Sequence, residues 1–177
     1  MPRPMNDEEL LAYSGEHVFY ETKLFFWLTL ALAKRTITVT APTVEDAHWF
    51  RCTLIEGFVL HLRNLLEFIF LNYPKDEHIV AAQFCQPAER WTTARPALSD
   101  VIKRAWGRAD LEMVHLTTGR ISGRLPEKGW DFIGIADEIA PLLRLLVSVA
   151  EPSRLSPNVT RAIEEYEAVR QQEVQGR

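Results

Sequence analysis

Only two cysteines, Cys52 and Cys85, occur in this chain, and they do not form a Cys-x-x-Cys pair. The N-terminus also lacks a basic segment running into an apolar stretch and a cleavage site. Both features lead to the expectation of a reducing, cytoplasmic setting. Long hydrophobic runs are missing too. The most apolar one, Leu24 to Ala33, is about half of the ~20 residues needed to cross a bilayer, so no membrane association is expected and the run reads as a buried helix. Glycine is sparse, and the chain contains no glycine-rich phosphate loop, no Gly-x-Ser-x-Gly elbow and no His-Glu-x-x-His motif. Nucleotide-binding, hydrolase and metalloprotease readings are disfavoured accordingly.

There is no excess of positive charge either. The net charge of −4 means that any nucleic-acid contact would have to come from a local patch. One stretch has that composition, with Lys103, Arg104, Arg108, Arg120, Arg124 and Lys128 set against Asp110, Glu112 and Glu127. The plainer account of it is a solvated helical face of mixed charge.

What the chain does have is helical periodicity. At 177 residues with 47% apolar content it has the size and balance of one packed domain. Asn6 and Glu9 form a capping-box pattern in a lead-in over residues 1–14, and Ser14-Gly15 offers a break or second cap. Apolar residues then recur at helical spacing from Glu16 to about Arg35, around most of the helix circumference. Thr36 to Thr40 reads as an extended connector ending at Pro42. Thr43 with Asp46 marks the start of a second helix, which runs to the stop at Asn72-Tyr73-Pro74 and is expected at the centre of the fold.

Residues 74–96 read as a loop, with Asp76 capping a short helix over Ile79, Val80 and Phe84. Pro96 is placed to open a helix, bent near Gly107, that reaches Ile121. After a loop marked by Gly123, Pro126 and Gly129, Asp131 caps a helix from Phe132 to Val149, with Pro141 inside it. Ser156-Pro157 opens a C-terminal helix over 156–173. These stripes predict a single all-α domain over 1–177, an up-down bundle of four to five principal helices with its core in 15–150 and a loop and short helix between helices two and three.

Candidate chemistry is thin. Glu56, Arg63 and Glu67 share one face of the second helix, where the arginine either holds a phosphate or closes an internal ion-pair network. His115 is seven residues after Arg108 and precedes Arg120; histidine moves protons near neutrality and arginine binds phosphate. His48 and Cys52 stand at i and i+4, but zinc needs further ligands that no recognised spacing supplies, so no metal or cofactor is expected.

The blocks His61-Leu62-Arg63-Asn64-Leu65-Leu66-Glu67-Phe68, His115-Leu116-Thr117-Thr118-Gly119-Arg120 and Trp130-Asp131-Phe132 resemble those of a group of bacterial helical proteins related to the HEPN superfamily, over roughly residues 45–150. The resemblance implies a helical bundle, often dimeric, and in many members a metal-independent ribonuclease of toxin or antiphage systems. The site there is an arginine, frequently followed by a polar residue such as asparagine, with a histidine shortly after. Arg63-Asn64 matches the front of that pattern, but Phe68, Ile69 and Phe70 stand where the histidine belongs. Arg108 and His115 have the spacing, with Ala109 in the place of the polar residue.

Three functions follow as expectations. The first is a noncatalytic module that forms a homodimer or binds a protein partner in a bacterial defence or toxin–antitoxin type system. The second is a metal-independent ribonuclease in which His115 acts with Arg63, Asn64, Arg108 and Arg120 on RNA held by the local basic patch. The third is a small-molecule sensor with a pocket under the Pro74–Pro96 loop.

Overall fold

The computed structural model describes residues 5–34, 37, 40, 42–71, 78–110 and 129–175. The first helix, α1 (Asp7–Tyr13), starts on the expected capping box: the Asn6 side chain accepts from the Glu9 backbone amide at 2.9 Å, and the Glu9 carboxylate accepts from that of Asn6 at 2.9 Å. Ser14-Gly15 does not break the chain. A wider helical turn over Ser14–Val18 carries it directly into α2 (Phe19–Lys34). The buried Ser14 hydroxyl donates to the carbonyls of Leu11 and Arg154, and accepts from the amide of Ser156. The anticipated lead-in is thereby sewn onto the C-terminal part of the bundle.

The connector expected over 36–40 falls largely outside the described residues. Helix α3 (Val44–Phe70) opens as expected, with the Thr43 hydroxyl accepting from the Asp46 amide at 3.0 Å, and ends before Asn72. The next segment is more structured than its composition suggests. A single tight turn spans Ala81–Phe84, while Asp76, its expected cap, lies outside the described residues. An additional short helix, α4 (Glu89–Ala94), follows because Trp91 is fully buried and its indole N–H donates to the Ile69 carbonyl at 3.0 Å. One anchoring ring in six residues leaves no periodicity to read.

Helix α5 (Asp100–Arg108) begins four residues later than Pro96 would allow, because the Ser99 hydroxyl caps it by accepting from Ile102. Its continuation towards Ile121 lies outside the described residues. Asp131 caps α6 (Phe132–Val149), which contains Pro141, and α7 (Pro157–Gln175) completes the chain. The protein is an all-α bundle, with no strand among the described residues. No described helix is long and apolar enough to cross a membrane.

The centre of the bundle is α2, not α3. Helix α2 packs against α3, α6 and α7, whereas the first half of α3 extends past the core and is exposed. A helix apolar around most of its circumference must bury most of it, and α2 has that composition. It runs antiparallel to α3: Glu21 meets His61, Phe25 stacks on Phe58 at 5.3 Å, and Leu28 lies over Gly57. Phe132 packs edge-on to Phe58 at 4.9 Å, and Phe26 stacks on Tyr166 of α7 at 4.3 Å. Lys23–Glu165 and Lys34–Glu173 pairs then fasten α2 to α7.

Candidate functional site

Arg63 projects from the flank of α3, about one-third exposed, and is held on two sides. Its Nη2 lies 3.0 Å from Glu67 Oε1 and its Nε donates to Asp110 Oδ1 at 2.9 Å. The second clamp comes from the residues following α5, not from Glu56, which is exposed and makes no ion pair among the described residues. Arg63 thus belongs to a network tying α3 to the end of α5.

Arg108, two residues before Asp110, donates to the Gly129 carbonyl at 2.8 Å, and its guanidinium lies 4.2 Å over the Trp130 ring. Trp130, Asp131 and Phe132 all have structural tasks: Trp130 stacks with Arg108, the Asp131 carboxylate accepts from the Gly134 amide at 2.9 Å, and Phe132 enters the core. A Cβ at Gly134 would press on the capping carboxylate, so a larger residue there would turn the Asp131 side chain aside. His115 and Arg120 lie outside the described residues. Of the basic stretch that starts at Lys103, only residues up to Asp110 are described; Lys103 and Arg104 are exposed.

His48 and Cys52 do meet, with Sγ 3.6 Å from Nε2, on the exposed part of α3. Among the described residues no three histidine, cysteine or carboxylate side chains are grouped so as to hold a metal ion.

Asn64 faces elsewhere. It lines a cleft of about 310 Å³ between the start of α2, the second half of α3 and residues 78–80. Val18, Leu65, Phe68, Ile79 and Val80 form the apolar part of its wall, and Tyr13, His17, Glu21, Glu67 and His78 join Asn64 in the polar part. Behind it, the buried His61 imidazole lies with Nδ1 2.7 Å from Glu21 Oε2. Burial, assisted by the Glu21 charge, pushes the Tyr13 hydroxyl above the usual tyrosine range. Family models, curated proteins and solved structures yield no match to this chain.

Asn64 and His61 were marked by the sequence; Glu21 was not. The available signal was its position as an acidic residue on a helix otherwise apolar nearly all round, where a carboxylate needs a partner.

The other prominent feature is a surface. Every large apolar side chain that is exposed among the described residues lies on α2 or α3: Tyr20, Trp27, Val44, Trp49, Phe50 and Leu60. Tyr20 and Trp27 are seven residues apart, about two turns, and share one side of α2. Trp49 and Leu60, eleven apart, share one side of α3, about three turns along. With the helices antiparallel and in the observed register, both stripes look outward, away from α6.

Proposed function

We propose that this chain is a noncatalytic helical module that pairs with a second copy of itself through the outer face of the α2–α3 hairpin. The observation that carries this reading is that all six large apolar side chains exposed among the described residues lie on those two helices. Trp49 is 59% exposed, Leu60 55% and Trp27 49%. Val44 lies about 140° round α3 from Trp49 and stands off this face; the other five leave on the order of 500 Å² of apolar surface in water, since an aromatic side chain presents roughly 150–250 Å². That is towards the upper end for the largest patch on a typical monomer, and most of the ~800 Å² each partner contributes to a stable interface.

The arrangement favours a second copy. Two α3 helices crossing antiparallel about a two-fold axis bring Trp49 of each onto Leu60 of the other, with the Thr53 of each opposite the exposed Glu56 of the other. On the resemblance described above, such a module would serve in a bacterial defence or toxin–antitoxin type system. A ribonuclease reading gains nothing from Arg63 or Arg108, because ion pairs hold the first and a carbonyl and an indole ring engage the second.

Sedimentation at micromolar concentration tests the proposal. The parent chain is expected to be a dimer, and Leu60→Glu or Trp27→Glu a folded monomer. A parent chain that stays monomeric at ~100 μM, well above the concentration at which burial of this area should drive pairing, defeats it.

A further inference from the structure

The cleft beside Asn64 stands apart from the docking face in its chemistry. Among the described residues its only formally charged wall side chains are two carboxylates, Glu21 and Glu67, and no described lysine or arginine lines it. Each carboxylate is steadied through one oxygen: Glu21 Oε2 by His61 Nδ1 at 2.7 Å, and Glu67 Oε1 by Arg63 Nη2 at 3.0 Å. The opposite oxygens, Glu21 Oε1 and Glu67 Oε2, have no hydrogen-bond partner among the described residues. The same holds for the side chains of Asn64, Tyr13 and His78.

Two carboxylates therefore meet at a cleft whose wall also holds Asn64, Tyr13, His17 and His78 and is otherwise apolar, with the Phe68 and Tyr13 rings among its lining. Its volume of about 310 Å³ is at the small end of the range for organic ligands, roughly 300–1,000 Å³. The two carboxylates disfavour a phosphate or a carboxylate at short range. An ammonium group gains charge-assisted hydrogen bonds from the free carboxylate oxygens and attraction from the rings, while an apolar body covers Leu65, Phe68 and Ile79.

We propose that this cleft is a binding site for a small organic cation, a protonated amine carried on an apolar or aromatic body. Helix α2 supplies Glu21 to the cleft and Tyr20 to the outer face, so occupancy touches the helix on which pairing is proposed. The binding proposal does not depend on pairing.

The test uses the full chain and three probes of one shape: 2-phenylethylammonium, the neutral 2-phenylethanol and the anionic phenylacetate. Each is titrated while backbone amide resonances are followed. The amine is expected to give saturable shifts at residues 13–21, 64–71 and 78–80, with the alcohol at least ~10-fold weaker and phenylacetate silent, the scale of one or two charge-assisted bonds. Glu21→Gln, which keeps an acceptor for His61, should weaken the amine at least ~10-fold and leave the alcohol unchanged. Asn64→Leu provides a second variant, expected to weaken the amine without touching either carboxylate.

Equal affinity for amine and alcohol, saturable binding of phenylacetate, or no saturable shift with the amine up to ~10 mM, about the weakest specific binding worth the name, overturns the proposal. Sedimentation of the same samples reads the pairing separately, so the two proposals fail independently.

Discussion

The Arg63 guanidinium is shared between Glu67 at 3.0 Å and Asp110 at 2.9 Å. Its two carboxylate partners retain contact with water, so removing the guanidinium leaves neither Glu67 nor Asp110 fully stranded. Arg63→Ala should therefore cost only about 1–2 kcal/mol, the range between an exposed pair and a buried one. For a chain of this size that is a fall of roughly 2–8 °C in melting temperature, read by a thermal scan. A larger loss would mean that Asp110 positions more of the chain than α5 alone.

Tyr166 is the second residue with a definite electrostatic consequence. Its hydroxyl donates to Asp137 Oδ1 at 2.7 Å, and Arg170 holds the same carboxylate at 2.9 Å. Burial, followed by the bond to Asp137, raises the Tyr166 ionisation well above the ordinary value of 10.0. A group whose folded value is raised contributes stability that is complete below its unfolded value and is lost as pH rises beyond it. Urea denaturation should accordingly show the parent losing stability as pH rises from ~10 to ~12, above the ordinary tyrosine value, and Tyr166→Phe losing less over the same interval. An identical loss in both proteins would place the alkaline sensitivity elsewhere.

At the scale of elements, the legible parts of the chain are those set by local rules. The caps at Asn6, Thr43 and Asp131 and the stop before Asn72 need only neighbours a few residues away, and each is found where the side-chain chemistry puts it. The start of α5 was misplaced because Pro96 and Ser99 both offer a beginning, and the hydroxyl that reaches Ile102 prevails. Helix α4 was missed because its anchor, Trp91 to the Ile69 carbonyl, spans 22 residues. The length of α3, 27 residues against 16, predicts the centre there, whereas the apolar cover around α2 is what puts α2 at the centre. As for the cleft, Asn64 is identifiable from its polar place on α3, whereas its meeting with Glu21 depends on the register of two antiparallel helices, which no local pattern sets.

Helix α2 also carries a testable imperfection. The Thr22 hydroxyl is fully buried and has no hydrogen-bond partner among the described residues. Thr22→Val keeps the shape and removes the orphaned polar atom, so the variant should be more stable by about 1 kcal/mol, measured by chemical denaturation. A loss of stability would show that the hydroxyl finds a partner on the time average.

For the molecule as a whole, closure is achieved by the two ends of the sequence. Asp7 accepts from Ser153 at 3.0 Å and from Arg154 at 2.8 Å, and Ser14 bonds to Arg154 and Ser156 across some 140 residues. Arg154 reaches in turn to the carbonyls of Gln83 and Cys85, so one guanidinium gathers the first, middle and last thirds of the chain. Ribosomes deliver these pieces in order, and α2 emerges more than a hundred residues ahead of α7, the helix that covers its Phe26 side. Until α6 and then α7 are made, the apolar run Leu24 to Ala33 has only α3 of its three helical neighbours beside it. Its contacts of long sequence separation must wait for the final segment, so part of an apolar helix stays uncovered while the chain is being made.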